Sequence, residues 1–229
     1  MDQPLLRLES ENVIVTFHDK NRRCLLAQLC DVHGSDKGAL QKTGHPYSWP
    51  AHSYTDYYAA LFNHCRLSVK KVFECGLGTN NPDLPSNMTS TGKPGASLRV
   101  WRDYFPNAVI VGADIDRQIL FEEDRIKTYY VDQTDPKAIA DFWSEVGQDD
   151  FDFIVDDGLH TFAAGKCLFE NSIHKLSKHG LYIIEDVTIE DLALYQGFFK
   201  GRDFSVDYVN LYRPDVPLAD NNLVVIRRP

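Results

Sequence analysis

The sequence predicts an α/β fold, with a mainly parallel sheet, helices on both faces and an antiparallel end. Three observations carry that expectation. Short apolar runs alternate with helix-period segments from residue 69 onward, the runs end in glycine or acidic residues, and the last two runs are joined by a long turn rather than a helix. Strands separated by helices of this length become parallel neighbours through right-handed crossovers. The 229 residues, 43% apolar and 25% charged, suffice for one large domain. The expected division is an N-terminal extension with a possible lid or helix at 1–65, followed by a domain at 66–229.

Residues 69–75 (VKKVFEC) read as a strand entering a tight turn, Gly76-Leu77-Gly78, where glycine permits a positive φ or a close approach. A polar stretch at 79–94 follows, long enough that it is expected to line a site or to be disordered. Gly95-Ala96-Ser97 then opens a helix with Leu98, Trp101 and Phe105 on one face. Residues 109–115 (VIVGADI) and 128–131 are the next strands. Thr134-Asp135-Pro136 starts a helix that runs to about Val146, with proline in the first turn. A strand at 151–155 (FDFIV) precedes a helix at 161–176, closed by Lys178-His179-Gly180, and a strand at 181–184 (LYII). Thr188 caps a further helix with Asp191 three residues on. Residues 204–211 and 223–227 are the final extended runs, related more as a hairpin than as a crossover.

Acids outnumber bases, 33 to 24, for a formal charge of −9 with no Lys/Arg-rich block. That balance excludes a nucleic-acid backbone as the expected partner. The first ten residues lack a basic region followed by an apolar one, and the apolar runs are strand-sized, so no membrane span is expected and the cytoplasm is the expected location. Five cysteines without a C-x-x-C pair read as thiols rather than as a disulfide framework.

In a parallel α/β sheet ligands bind beyond the C-terminal ends of the strands, so the chemistry is sought there. After the first strand come the two glycines and the start of a helix with free amides. The third position of a dinucleotide fingerprint is Asn81 rather than glycine, which weakens a nicotinamide reading. After the second strand comes Asp114, placed to accept from a ribose diol; after the third come Asp132 and Gln133, able to meet the edge of an adenine ring. Together these three strand ends describe a site for an adenosine moiety.

The fourth strand ends in Asp156-Asp157-Gly158-Leu159-His160 and the fifth in Glu185-Asp186. If the two strands are neighbours, four carboxylates and an imidazole share one end of the sheet. Carboxylates about 4 Å apart repel by roughly 4 kcal/mol per pair at an effective dielectric near 20, so compensation is required. Proton uptake, a basic partner or a divalent cation would supply it. An all-oxygen set favours Mg²⁺, Mn²⁺ or Ca²⁺ over Zn²⁺.

With these residues placed, the sequence resembles the metal-dependent, S-adenosylmethionine-using sugar O-methyltransferases of natural-product biosynthesis, the macrocin and mycinamicin type, with cephalosporin hydroxylase-like proteins as relatives. The likeness spans residues 31–186. It is carried by Gly34-Ser35-Asp36-Lys37-Gly38, the Glu74-x-Gly-x-Gly turn, Gly95-Ala96-Ser97-Leu98-Arg99-Val100-Trp101, Gly112-Ala113-Asp114-Ile115, Asp132-Gln133, Asp156-Asp157-Gly158-Leu159-His160 and Ile184-Glu185-Asp186.

The resemblance implies a Rossmann-like class I methyltransferase fold with a seven-stranded, mainly parallel sheet and an antiparallel C-terminal strand. It implies S-adenosylmethionine bound by Glu74, Gly76, Gly78, Ser97, Asp114, Asp132 and Gln133. Mg²⁺ or another divalent cation would be held by Asp157, Glu185 and Asp186, with His160 as the general base. The implied acceptor is a hydroxyl of a small-molecule glycoside or saccharide, and the implied protein a possible homo-oligomer. Leu159 departs from the family, where serine is usual, and the region before the core is short. A hydroxylase-like or accessory cofactor-binding role is the alternative, and a nicotinamide-dependent oxidoreductase a more remote one. The aromatic stretch at 45–62 has two readings: a lid whose rings suit a sugar, or a helix packing Tyr54, Tyr58, Leu61 and Phe62 onto the sheet.

Overall fold

A computed structural model describes residues 12–18, 24–38, 47, 49–216 and 218–229. The opening segment through residue 11, where a targeting signal would lie, and residues 45, 46 and 48 of the aromatic stretch lie outside them. The elements run β1 (Val13–Phe17), α1 (Leu25–His33), α2 (Tyr54–Phe62), β2 (Lys71–Cys75), α3 (Ala96–Tyr104), β3 (Val109–Asp114), β4 (Glu122–Glu123), β5 (Ile126–Tyr130), α4 (Pro136–Val146), β6 (Phe151–Asp156), α5 (Phe162–Ser172), β7 (Leu176–Ile184), α6 (Ile189–Phe199), β8 (Ser205–Tyr212) and β9 (Asn222–Arg227).

All the strands join one sheet in the order β1-β8-β9-β7-β6-β2-β3-β5-β4. The seven expected strands are present. The two additional ones, β1 and β4, close the edges. β2, β3, β5, β6 and β7 are parallel to their neighbours within this run, whereas β9 lies antiparallel between β7 and β8.

Side chains alternate across a strand, and here consecutive apolar residues feed two separate cores. Val72, Ile110, Phe153, Ile183 and Val225 pack beneath α1, α2 and α3, against Leu26, Tyr58 and Trp101. Their neighbours Phe73, Val111, Ile154, Tyr182 and Val224 face the other way, against Phe142, Leu168 and Tyr195 of α4, α5 and α6. Both faces are therefore covered, which is why the central strands read as continuous apolar runs. Among the described residues no helix is long and apolar enough to cross a membrane.

Local signals set the helix starts. Asp135 accepts from Lys137 N at 2.9 Å ahead of Pro136, and Thr188 Oγ1 accepts from Asp191 N at 3.1 Å. One boundary differs from expectation: α5 ends at Ser172, and residues 176–180 already belong to β7. Gly180 is not a helix cap. A Cβ there would lie 2.8 Å from Phe151 O, beside the register shift between Phe151 and Phe153, so glycine lets β7 close onto β6. The helix reading of the aromatic stretch holds for 54–62, with Tyr54, Tyr58 and Phe62 buried.

Candidate active site at the strand ends

Asp156 pairs with Ile184 in the parallel ladder of β6 and β7, so the two acidic turns are neighbours at the same end of the sheet. The ladder continues past the strands: Glu185 N donates to Asp156 O at 3.0 Å, Asp157 N to Cys75 O at 2.9 Å and Gly76 N to Ala113 O at 2.8 Å. Four strand ends, those of β7, β6, β2 and β3, are thereby tied side by side. They open into one cavity of about 230 Å³, lined by Gly76, Gly78, Ser97, Asp114, Asp132, Gln133, Asp157, His160 and Asp186. Of the predicted site residues, Glu74 and Glu185 alone do not line it.

The glycine turn is built for close approach. Gly76 and Gly78 have φ of +94° and +77°, and a Cβ on Gly76 would lie 1.9 Å from Asp157 O. Asp114 fixes the turn beside it: Oδ2 accepts from Leu77 N at 2.7 Å and Oδ1 from Asp116 N at 2.8 Å. Burial raises its pKa, and these amides oppose the rise. Gln133 works partly within the protein, since Oε1 accepts from Leu159 N at 2.7 Å and Nε2 donates to Asp156 Oδ1 at 3.1 Å. Asp132 caps the following turn through Thr134 N at 2.9 Å. Residues 79–95 line the cavity through Thr79, Leu84, Pro85 and Met88 among others. Ile115, 46% exposed just past β3, adds an apolar surface to the same wall.

The acidic half divides into two layers. On the cavity side, Asp157, His160 and Asp186 each offer one ligand atom, all within 4.8 Å of one another. His160 Nε2 lies 3.3 Å from Asp157 Oδ1 and 3.4 Å from Asp186 Oδ2. Both His160 and Asp186 sit in the left-handed region, with φ of +56° and +51°. Non-glycine residues there cost of order 1–3 kcal/mol, an expense that surrounding contacts offset at functional sites. Partial burial pulls the His160 pKa down, but Asp186 and Asp157 outweigh it and push it up to about 10.

Behind this layer is the basic partner that the acidic turns require. Lys37, which sequence reasoning placed only within a family motif, sends Nζ to Asp157 Oδ2 at 2.6 Å, to Glu185 Oε2 and to Glu74 Oε1 at 3.4 Å. Glu185 Oε1 accepts from Tyr58 OH at 2.5 Å, and Glu74 Oε2 from Trp101 Nε1. Burial would lower the Lys37 pKa, but Asp157, Glu185 and Glu74 hold it well above the usual lysine value. Lys37 and His160 in turn keep Asp157 ionised against burial. Tyr54 OH donates to Asp186 Oδ1, and His52, stacked on Tyr54, brings Nε2 to 3.6 Å from the same oxygen. The two tyrosines stand at the helix spacing already noted in the sequence; nothing in that spacing marks their hydroxyls as acid partners.

Asp157 and Asp186 offer hard oxygen donors open to a cavity on one side, which fits a divalent cation, and the His160 imidazole stands beside them. The glycine cradle next to it fits a cofactor that lies against bare backbone.

The strand order, with its antiparallel strand inserted beside the last parallel one, is that of a class I methyltransferase fold. MycE methyltransferase from the mycinamycin biosynthetic pathway, solved in complex with Mg and SAH, shares this fold with a TM-score of 0.62 at 21% identity, over 90% of this chain and 55% of that one. In sequence the chain is similar to sugar O-methyltransferases. It is 30% identical over 174 residues to 8-demethyl-8-alpha-L-rhamnosyl tetracenomycin-C 2'-O-methyltransferase of Streptomyces olivaceus, covering 76% of this chain and 40% of that protein. It is 31% identical over 153 residues to demethylmacrocin O-methyltransferase of Streptomyces fradiae, covering 66% of this chain and 35% of that protein. The resemblance expected from the motifs is thus found, although the chain spans well under half the length of these relatives. No protein-family model matches the chain.

Proposed function

We propose that the protein is an S-adenosylmethionine- and Mg²⁺-dependent O-methyltransferase acting on a hydroxyl of a sugar or glycosylated small molecule. The observation that carries this reading is one cavity with a glycine cradle on one wall and Asp157, His160 and Asp186 on the adjoining wall. The named relatives are sugar O-methyltransferases, and the fold relative was solved with Mg and SAH.

In this reading Gly76, Gly78 and Asp114 hold the cofactor, Ser97, Asp132 and Gln133 complete its pocket, and Glu74 supports the turn from beneath. Asp157 and Asp186 hold the cation, with Glu185 as the third carboxylate once it leaves Lys37. When bound, the sulfonium would supply the methyl group and the cation a Lewis acid for the acceptor hydroxyl. His160 takes the hydroxyl proton, and the fixed strand ends align the oxygen with the methyl carbon. Asp157 and Asp186 face His160 and favour its protonated form, so the same two carboxylates that would hold the cation set when the imidazole is free to act as a base.

Transfer of a labelled methyl group to a panel of glycosides, with and without EDTA, tests this. Transfer that EDTA abolishes and Mg²⁺ restores is expected. His160→Ala should abolish turnover while leaving S-adenosylhomocysteine affinity nearly unchanged. Transfer indifferent to chelation would overturn the metal role, and cofactor and metal binding without transfer to any glycoside would favour the hydroxylase-like or accessory reading.

A further inference from the structure

We propose that Lys37 is the internal counter-ion of the metal site: it pairs with Asp157 and Glu185, and a divalent cation must compete with it for them. This rests on the metal reading above and adds a residue that sets how tightly the metal is held.

The placement of Lys37 is specific. The turn after α1 is fixed by Gly34 N and Ser35 N, both donating to Cys30 O, at 2.7 and 3.0 Å. Beyond it His52 N donates to Asp36 O at 2.7 Å and Thr55 N to Lys37 O at 3.2 Å. The backbone is therefore held on both sides, and the side chain, 4% exposed, is directed into the acidic cluster. Its three carboxylate partners are not equivalent. Glu74 and Glu185 are enclosed, and each gives its second oxygen to a buried ring donor, Trp101 or Tyr58. Asp157 is shared: Oδ2 faces Lys37 while Oδ1 faces His160 and the cavity. Among the described residues it is the one carboxylate that belongs both to the Lys37 set and to the Asp157, His160 and Asp186 set.

Two cations that share a carboxylate repel each other and divide its charge. Lys37 therefore stabilises the metal-free site and weakens the metal-bound one. A purely structural lysine would do only the first. Its removal would loosen the acidic turns and leave metal affinity equal or lower.

The test is an EPR titration of the full chain, stripped of metal, with Mn²⁺. Lys37→Met removes the charge and keeps most of the stem; Lys37→Gln keeps a hydrogen-bond donor without the charge. Both should bind Mn²⁺ roughly tenfold or more tightly than the parent chain. Both should also melt at lower temperature in EDTA and gain more from added Mn²⁺. Unchanged or weaker Mn²⁺ affinity in either folded variant overturns the proposal. A measurement on the unsubstituted protein guards against variants that do not fold. The buried Lys37 ammonium, observed by ¹⁵N-lysine NMR, should shift on saturation with Mg²⁺, and an unmoved resonance overturns the proposal alone. Failure of the parent chain to bind Mn²⁺ at all would remove the metal reading itself.

Discussion

Asp157 presents one oxygen to an ammonium and the other to an imidazole, and that division explains the electrostatics of the whole turn. Burial alone pushes Glu74 and Glu185 toward the protonated form, and the Lys37 ammonium between them opposes it. His160 is the group whose titration should be seen in stability. Its pKa rises from 6.5 to about 10 on folding because Asp186 and Asp157 overcome its burial. A raised pKa contributes stability that is fully present below 6.5 and is lost as pH climbs through about 10. Urea denaturation in EDTA should therefore show the parent chain more stable than His160→Gln below pH 6.5, with the difference shrinking toward pH 10. A difference that grows with pH would show that His160 is held neutral in the folded protein.

At the scale of elements, the strand ends matter more than the strands. Gly76 ends β2 with a φ that side chains avoid and with Asp157 O where a Cβ would stand. Gly76→Ala must push the β6 turn away, and strain of this kind costs about 1–3 kcal/mol before the clash is counted. Denaturation should show at least that loss, and S-adenosylhomocysteine binding should weaken with it; a variant as stable as the parent chain would mean that the turn is free to move. The central strands β2, β3, β6 and β9 and the end of β7 were legible because both of their faces are apolar, and the acidic turns because they follow β6 and β7 directly. β1 was not, because VIVTF stands outside the strand-helix alternation and gains its place only by pairing with β8, almost two hundred residues on. The true start of β7 was hidden because Lys178-His179-Gly180 carries the chemistry of a helix end, and only the approach of Phe151 O shows why glycine is needed. Lys37 escaped for a related reason. Its partners lie 120 and 148 residues away, and no local spacing records an ion pair of that range.

For the molecule as a whole, the cradle and the acidic layer are one mechanical unit. Gly76 packs on the backbone of Asp157, Asp157 N is bonded to Cys75 O, and Gln133 ties Leu159 and Asp156 to the end of β5. A ligand that orders the glycine turn must also order the turn that aims Asp157, so cofactor and metal should bind with positive coupling. Couplings between sites are typically about 1–3 kcal/mol and are reciprocal, so each ligand should tighten the other by at least about fivefold. A ligand at one hundred times its Kd adds about 2.7 kcal/mol, which in a domain of this size raises the melting temperature by roughly 5–10 °C. S-adenosylhomocysteine and Mn²⁺ should each produce a shift of that order, and together a shift larger than their sum. The excess should disappear in Gly76→Ala, where the turn no longer fits against Asp157. Strictly additive shifts in the parent chain would show instead that the two walls of the cavity bind independently, despite the backbone contact between them.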